Sequence, residues 1–176
     1  MLRIAITDDH KLFRKSLALL IRDFKDMEVV LEASNGVELL EKLKTTPVDI
    51  LLLDLQMPVM DGFETFKNVR QQYPHIKTVI LTMRKDADEI RDVIKMKAHG
   101  YFTKNTPPKE LEDAIWNLKD NSFHSEQGLA TIIKEVQANL DIDLDSMEID
   151  FTDRELDIIK LTAQGVKSKE IADMLK

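Results

Sequence analysis

Five polar side chains stand at the ends of short apolar segments, where they could act together in one reaction. Asp8 and Asp9 follow the first segment, Asp54 follows the third, Thr82 closes the fourth and Lys104 follows the fifth. Clustered carboxylates need compensation, which a hard divalent cation such as Mg²⁺ or the lysine ammonium could supply. A bound cation, a hydroxyl and an ammonium suit phosphoryl transfer, and Asp54 could be the attacking nucleophile.

Two alternating patterns predict the elements that position these side chains. Runs rich in Val, Ile and Leu predict five strands, at 3–7, 28–32, 49–53, 78–81 and 101–103. Apolar residues at helical spacing between them predict five helices. This alternation predicts an α/β fold, a flavodoxin-like doubly wound five-stranded parallel sheet in the order 2-1-3-4-5. Because ligands bind beyond the carboxyl ends of such strands, the five polar residues are expected at one edge.

Capping signals mark the starts of three helices. Asn35 and Asp61 are each followed three residues later by glutamate, which fits the capping box. Thr106 stands before Pro107, which predicts a threonine N-cap with proline at the first helical position.

In their order along the chain, the polar residues and their neighbours resemble the receiver domain of two-component response regulators. The resemblance covers residues 1 to about 120. Its motifs are Asp8-Asp9, the run from Asp54 to Gly62 that contains Met57-Pro58 and Asp61, Leu81-Thr82, and the run from Gly100 to Lys104.

The resemblance implies a phosphoacceptor and a metal site. Asp54 is expected to accept the phosphoryl group. Asp8 and Asp9 are expected to hold Mg²⁺ together with Asp54 and the backbone carbonyl of Gln56.

The same resemblance implies a conformational switch. Thr82 and Lys104 are expected to contact the phosphoryl group, and Tyr101 is expected to move into the space that Thr82 vacates. Family members often have proline after the lysine, whereas Asn105 stands here.

The sequence beyond the receiver match indicates a tether and the start of a second domain. Residues 123–150 contain an amphipathic helical pattern and then, at 141–150, five acids with no Lys or Arg. Residues 151–176 resemble the start of a LuxR-type helix-turn-helix, as in the NarL/FixJ class, and end before a recognition helix. We therefore expect a receiver at 1–122, a tether and linker at 123–150, and an incomplete, truncated DNA-binding domain at 151–176.

Composition narrows the classes of function. The chain has no cysteine, which excludes disulfides, thiolate catalysis and cysteine-ligated metal. No apolar run is long enough to cross a membrane, so a cytoplasmic protein is expected. The net charge of -7 is concentrated in the acidic linker and says little about partners. The histidines lack metal-ligand spacing and are interpreted as surface or packing residues: His10, His75, His99 and His124.

The resemblance implies a signalling switch rather than a turnover enzyme, although the receiver would catalyse its own phosphoryl transfer and dephosphorylation. A sensor histidine kinase is the expected phosphoryl donor. Promoter DNA is the expected target of the intact protein, with weak or no DNA binding by this chain. A phosphorylation-dependent homodimer is a further expectation.

Three other functions are weighed against this one. A phosphatase of the haloacid dehalogenase kind would need a second acid two residues after the nucleophile, where Gln56 stands. A flavin electron-transfer module would need a phosphate-binding loop after the first strand, where Asp8-Asp9-His10 would repel phosphate. A receiver that acts only as a binding module would not need every pocket residue that is present here.

Overall fold

Strands and helices alternate through the part of the chain that the structure, a computed structural model, describes: residues 1–83, 86–118 and 124–125. These residues lie within a compact unit that spans Met1–Leu140. The strands are β1 (Leu2–Thr7), β2 (Met27–Ala33), β3 (Ile50–Leu53), β4 (Lys77–Thr82), β5 (Gly100–Thr103) and β6 (His124–Ser125). The helices are α1 (Lys11–Ile21), α2 (Gly36–Leu43), α3 (Gly62–Gln72), α4 (Ala87–Lys95) and α5 (Pro108–Asn117).

The sheet is parallel and has the order β2-β1-β3-β4-β5-β6, so the predicted α/β class and the order 2-1-3-4-5 are confirmed. The sixth strand extends this sheet beyond β5, with Gly100 opposite His124. Such a two-residue strand is too short to show a period-2 pattern in the sequence. The predicted helical pattern of the tether, the acidic linker and the helix-turn-helix lie outside the described residues.

The central strand β3 separates two buried layers. Ile50 and Leu52 pack with α1 and α5 on one face, whereas Leu51 and Leu53 pack with α2, α3 and α4 on the other. All four side chains are buried, and burial of each contributes about 1.5–3 kcal/mol to folding. The strand that carries Asp54 at its end is therefore rigidly held.

The capping signals were correct at two helices and wrong at a third. Asn35 accepts a hydrogen bond from the Glu38 amide at 3.0 Å, and Asp61 accepts one from the Glu64 amide at 2.8 Å. Helix α5 does not have the predicted threonine cap, because it begins at Pro108 with Pro107 as its N-cap. A residue that precedes proline is held in an extended conformation, so the helix cannot start earlier.

Among the described residues, no helix combines the length and the apolar character needed to cross a membrane.

Candidate functional site

The predicted acidic residues converge at the carboxyl edge of the sheet. Asp8 follows β1 and Asp54 follows the adjacent β3, where the Asp54 amide donates to the Thr7 carbonyl at 2.9 Å. Asp8 and Asp54 are only 1% and 3% exposed, while Asp9 is more accessible. Ligand atoms of these three residues and of His10 all lie within 4.8 Å of one another. Strand pairing therefore brings these carboxylates close enough for one metal ion to contact them together.

Lys104 lies between the two buried carboxylates. Its Nζ is 2.7 Å from Asp8 Oδ2 and 2.7 Å from Asp54 Oδ2, and its side chain is itself buried. The Lys104 amide donates to the Thr82 carbonyl at 2.8 Å, which fixes the start of the loop after β5. The peptide bond from Lys104 to Asn105 is trans. The ring of Phe13 lies beneath the ammonium, 5.0 Å from Nζ to the ring centroid.

Burial raises the pKa of Asp54 above its ordinary value. The nearby Asp8 carboxylate raises the pKa further, whereas the Lys104 ammonium and the Gln56 amide lower it without cancelling the effect of burial. The Gln56 amide donates to Asp54 Oδ1 over a long 3.4 Å. The acidic cluster therefore carries charge that the protein alone does not fully stabilise.

The donor set at this edge fits a hard divalent cation. Asp8, Asp9 and Asp54 offer carboxylate oxygens, the ligands that Mg²⁺ prefers. With Lys104 included, three carboxylates and one ammonium leave a formal charge of −2, which a divalent cation would neutralise. Gln56, the predicted carbonyl ligand, lies in the loop two residues after Asp54.

His10 belongs to this edge, although its sequence pattern indicated only a surface or packing residue. Its Nδ1 is 2.9 Å from Asp9 Oδ1 and 3.4 Å from Asp8 Oδ1, and its amide donates to Asp8 Oδ1 at 2.8 Å. Its position directly after Asp8-Asp9 was the one available signal. Because Mg²⁺ binds oxygen in preference to nitrogen, His10 is better placed to orient the carboxylates than to bind the ion.

Thr82 and Tyr101 meet on the side of the site that faces α4. Both side chains are buried, and they are joined by a side-chain hydrogen bond. The Tyr101 hydroxyl also lies 3.5 Å from Glu89 Oε2 in α4. Burial raises the pKa of Tyr101, and the negative charges of Glu89 and Asp86 raise it further. Sequence reasoning found the threonine and the tyrosine but missed Glu89, which lies in the first turn of α4.

The loop after Asp54 is closely packed against the start of α3. The Gly62 amide donates to the Leu55 carbonyl at 2.9 Å, and a Cβ at position 62 would collide with the Asp54 carbonyl oxygen and lie 2.5 Å from Leu55 Cα. Val59 occupies the left-handed region with φ of 73°. Only glycine at position 62 allows this close approach, which sets the course of the chain just after Asp54.

Taken together, the edge holds a carboxylate on a rigid strand, an ammonium in contact with it, a buried hydroxyl and a cluster of oxygen ligands. Such groups can attack a phosphorus centre, neutralise the charge on its oxygens and hold it in a fixed orientation. Of the predicted site residues, the structure brings Asp8, Asp9, Asp54 and Lys104 together, and it places Tyr101 beside Thr82.

The chain is similar to several known proteins. Residues 4–116 match the family model described as response regulator receiver domain. The oxygen regulatory protein NreC of Staphylococcus aureus is 33% identical over 179 residues, which cover 99% of this chain and 82% of NreC.

Solved structures show the same fold. A LuxR-family two-component response regulator from Aurantimonas sp. SI85-9A1 superposes with a TM-score of 0.71 at 30% identity, covering 77% of this chain and 97% of that one. RcsB from Salmonella enterica serovar Typhimurium, solved bound to the promoter rprA with the phosphomimetic BeF₃⁻, gives a TM-score of 0.64 at 23% identity. That match covers 68% of this chain and 99% of the solved RcsB chain, and it supports the fold alone.

Proposed function

The chain belongs to the NarL/LuxR-type response regulators of two-component systems, which control transcription, and from this premise we propose that Asp54 accepts the phosphoryl group. The contact that carries the proposal is the Lys104 ammonium, 2.7 Å from Asp54 and from Asp8. An oxygen of Asp54 forms a bond to phosphorus as the bond from phosphorus to the donor breaks. Lys104 is positioned to neutralise charge on the transferred oxygens.

Mg²⁺ is the proposed cofactor. Asp8, Asp9 and Asp54 would hold it together with the backbone carbonyl of Gln56. The bound ion would supply charge neutralisation at the phosphoryl oxygens. The support for this assignment is the formal surplus of negative charge and the raised pKa of Asp54.

The buried residues next to α4 are the proposed switch. A phosphoryl group on Asp54 would draw the Thr82 hydroxyl toward it and away from Tyr101, with which it now shares a hydrogen bond. Tyr101 would then change its contacts with Thr82 and Glu89. The surface formed by α4 and β5 would change as a result. Phosphorylation would thus bias a two-state packing arrangement.

A sensor histidine kinase is the proposed donor, and α1 offers a face on which it could dock. Leu12 and Leu19 are large apolar side chains exposed on this helix. On the same helix, Phe13, Leu17 and Leu20 line a cavity of about 280 Å³ that reaches Lys104. An apolar contact surface next to the phosphoacceptor suits a protein donor.

The remaining assignments concern the chain's own catalysis, its DNA target, its oligomeric state and its cellular setting. As a response regulator the chain is a signalling protein, and we assign to it the catalysis of its own phosphoryl transfer and dephosphorylation. Promoter DNA is the proposed target of the intact protein, with a homodimer formed on phosphorylation, in a cytoplasmic setting. The promoter complex of RcsB is the relevant precedent.

Intact-mass spectrometry after incubation with acetyl phosphate and Mg²⁺ tests the assignment of Asp54. We expect one phosphoryl adduct on the wild type and none on Asp54→Asn. Asp49→Asn is the matched control, because Asp49 stands just before the same strand at the opposite edge of the sheet, and it should retain the adduct. An unmodified wild type would favour a receiver that acts only as a binding module.

A further inference from the structure

Arg14 reaches from the first turn of α1 back to the backbone of Asp8. Its Nη1 donates a hydrogen bond to the Asp8 carbonyl oxygen, and its Nε lies 3.5 Å from Glu32 Oε2 at the end of β2. The Arg14 side chain is only 12% exposed, although arginine usually lies at the surface. A guanidinium buried this far is held for its hydrogen bonds and its charge pairing.

The carbonyl that Arg14 binds belongs to the peptide unit between Asp8 and Asp9. Because a peptide unit is planar, fixing that carbonyl also fixes the orientation of the Asp9 amide. It thereby restricts the backbone from which the two carboxylates project. The Asp8 amide on the other side is tied to the Ala33 carbonyl at 3.1 Å.

Glu32 is the ionic partner of Arg14. Its Oε1 is 2.8 Å from Lys15 Nζ, and its carbonyl accepts a hydrogen bond from Lys42 Nζ at 2.7 Å. Glu32 is therefore anchored from α1 and from α2. An ion pair with an anchored partner restricts the rotamers of a long side chain.

From these contacts we infer that Arg14 is a positioning residue for the metal site, one that sets the relative orientation of Asp8 and Asp9 without touching the ion. The inference rests on the proposed Mg²⁺ site. Its functional consequence is that α1 and β2, which supply no ligand themselves, determine the affinity for the cation. Partners that orient metal ligands are typically worth 10–100-fold in metal affinity.

Electrostatics makes the direction of the effect diagnostic. Arg14 carries a positive charge beside an acidic site, so simple Coulomb attraction predicts that its removal strengthens cation binding. Loss of a positioning contact predicts the reverse. Weaker binding in a variant that has lost a positive charge can therefore not arise from charge alone.

The experiment is isothermal titration calorimetry of MgCl₂ into the 176-residue chain, with circular dichroism to compare folding. We expect Arg14→Met to raise the dissociation constant for Mg²⁺ about tenfold. Lys15→Met is the matched control, because it removes the same charge from the same helix and contacts the same Glu32 from an exposed position. Its dissociation constant should change by less than about twofold.

Unchanged or tighter Mg²⁺ binding by a folded Arg14→Met chain would overturn the inference. If that variant does not fold, Arg14→Lys is read in the same way, since it keeps the charge and loses the fork that joins Asp8 to Glu32. A wild type that binds no Mg²⁺ would overturn the metal site of the proposed function, and the positioning role with it. Wild-type binding with an unaffected variant refutes the positioning role alone.

Discussion

Carboxylates pair with basic side chains at both ends of the parallel strands, which we call the amino edge and the carboxyl edge. The pKa of the carboxylate is shifted in opposite directions at the two edges. At the amino edge, Asp49 accepts hydrogen bonds from the Arg3 amide at 2.8 Å and from its guanidinium at 3.0 and 2.6 Å. These bonds lower the pKa of Asp49 to about 2. At the carboxyl edge, Asp54 shares one ammonium with Asp8, and burial raises its pKa.

The difference teaches which pairs hold the fold together and which serve the site. Asp49 and Asp54 flank the same strand, one at each end. One is half-exposed and matched by one cation, while the other is buried in a cluster that carries excess negative charge. A perturbed carboxylate of the second kind indicates a site that awaits a cationic or electrophilic partner.

The largest expected effect comes from replacing the basic side chain at each edge. Lys104→Met leaves two buried carboxylates without a counter-charge, and we expect it to lower the free energy of unfolding by about 3–5 kcal/mol in the absence of Mg²⁺. Arg3→Met should cost far less, because its pair is accessible to water. Urea unfolding at pH 7 measures both.

A double variant tests the cause of the Lys104→Met effect. Adding Asp54→Asn removes one of the two stranded carboxylates and should recover much of the lost stability. If the changes in stability of the two single variants simply add in the double variant, the stranded buried charge is not the cause.

Much of this comparison could be predicted from the sequence. Apolar runs that end in Asp8 and Asp54 follow from local composition, and the parallel sheet then brings their ends together. The Asn35 and Asp61 caps were predictable because a cap is a contact over three residues. Thr106 failed as a cap because the restriction that Pro108 places on Pro107 outweighed it.

Other features depended on contacts that no local pattern encodes. Arg14 binds a carbonyl six residues earlier only because α1 turns back over the end of β1. Glu89 meets Tyr101 only because α4 packs beside β5. The strand β6 depends on an edge of β5 that exists only once the sheet has formed.

A second prediction compares substitutions of the two acids that flank β3, Asp49 and Asp54. Asp54→Asn removes the cost of burying a charge at position 54 and the repulsion between that charge and the Asp8 carboxylate. Because Lys104 keeps Asp8 as a partner, the free energy of unfolding at pH 7 without Mg²⁺ should be unchanged or up to about 1 kcal/mol higher. Asp49→Asn should lower stability, because it leaves Arg3 with a weaker acceptor. A lower urea midpoint for Asp49→Asn together with an unchanged or higher midpoint for Asp54→Asn would support the comparison. A destabilised Asp54→Asn would count against it.

The smallest expected effect is a pH dependence at the amino edge. Burial and the charge of Lys77 lower the pKa of His99 to about 4, and its Nδ1 accepts a hydrogen bond from the Thr78 amide at 3.1 Å. The unfolded state, with an ordinary histidine pKa near 6.5, therefore binds more protons between those values. Stability should fall as pH drops from about 6.5 toward 4.

His99→Asn isolates this contribution from that of the titrating carboxylates. Between pH 7 and pH 5 the wild type should lose more stability than the variant, by about 1 kcal/mol or less because the imidazole is partly exposed. Equal losses in urea titrations at the two pH values would show that His99 does not contribute.

Paramagnetic broadening by Mn²⁺ in NMR spectra tests most directly whether one cation site lies at the carboxyl edge. The flanking acids of β3 are about 16 Å apart at 3.3 Å per residue, far enough for the two edges to respond differently. With Mn²⁺ in place of Mg²⁺, amide signals of Asp8, Asp54 and Lys104 should broaden first, while those of Arg3 and His99 persist. Broadening at the amino edge, or evenly along the chain, would contradict a cation site built on Asp54.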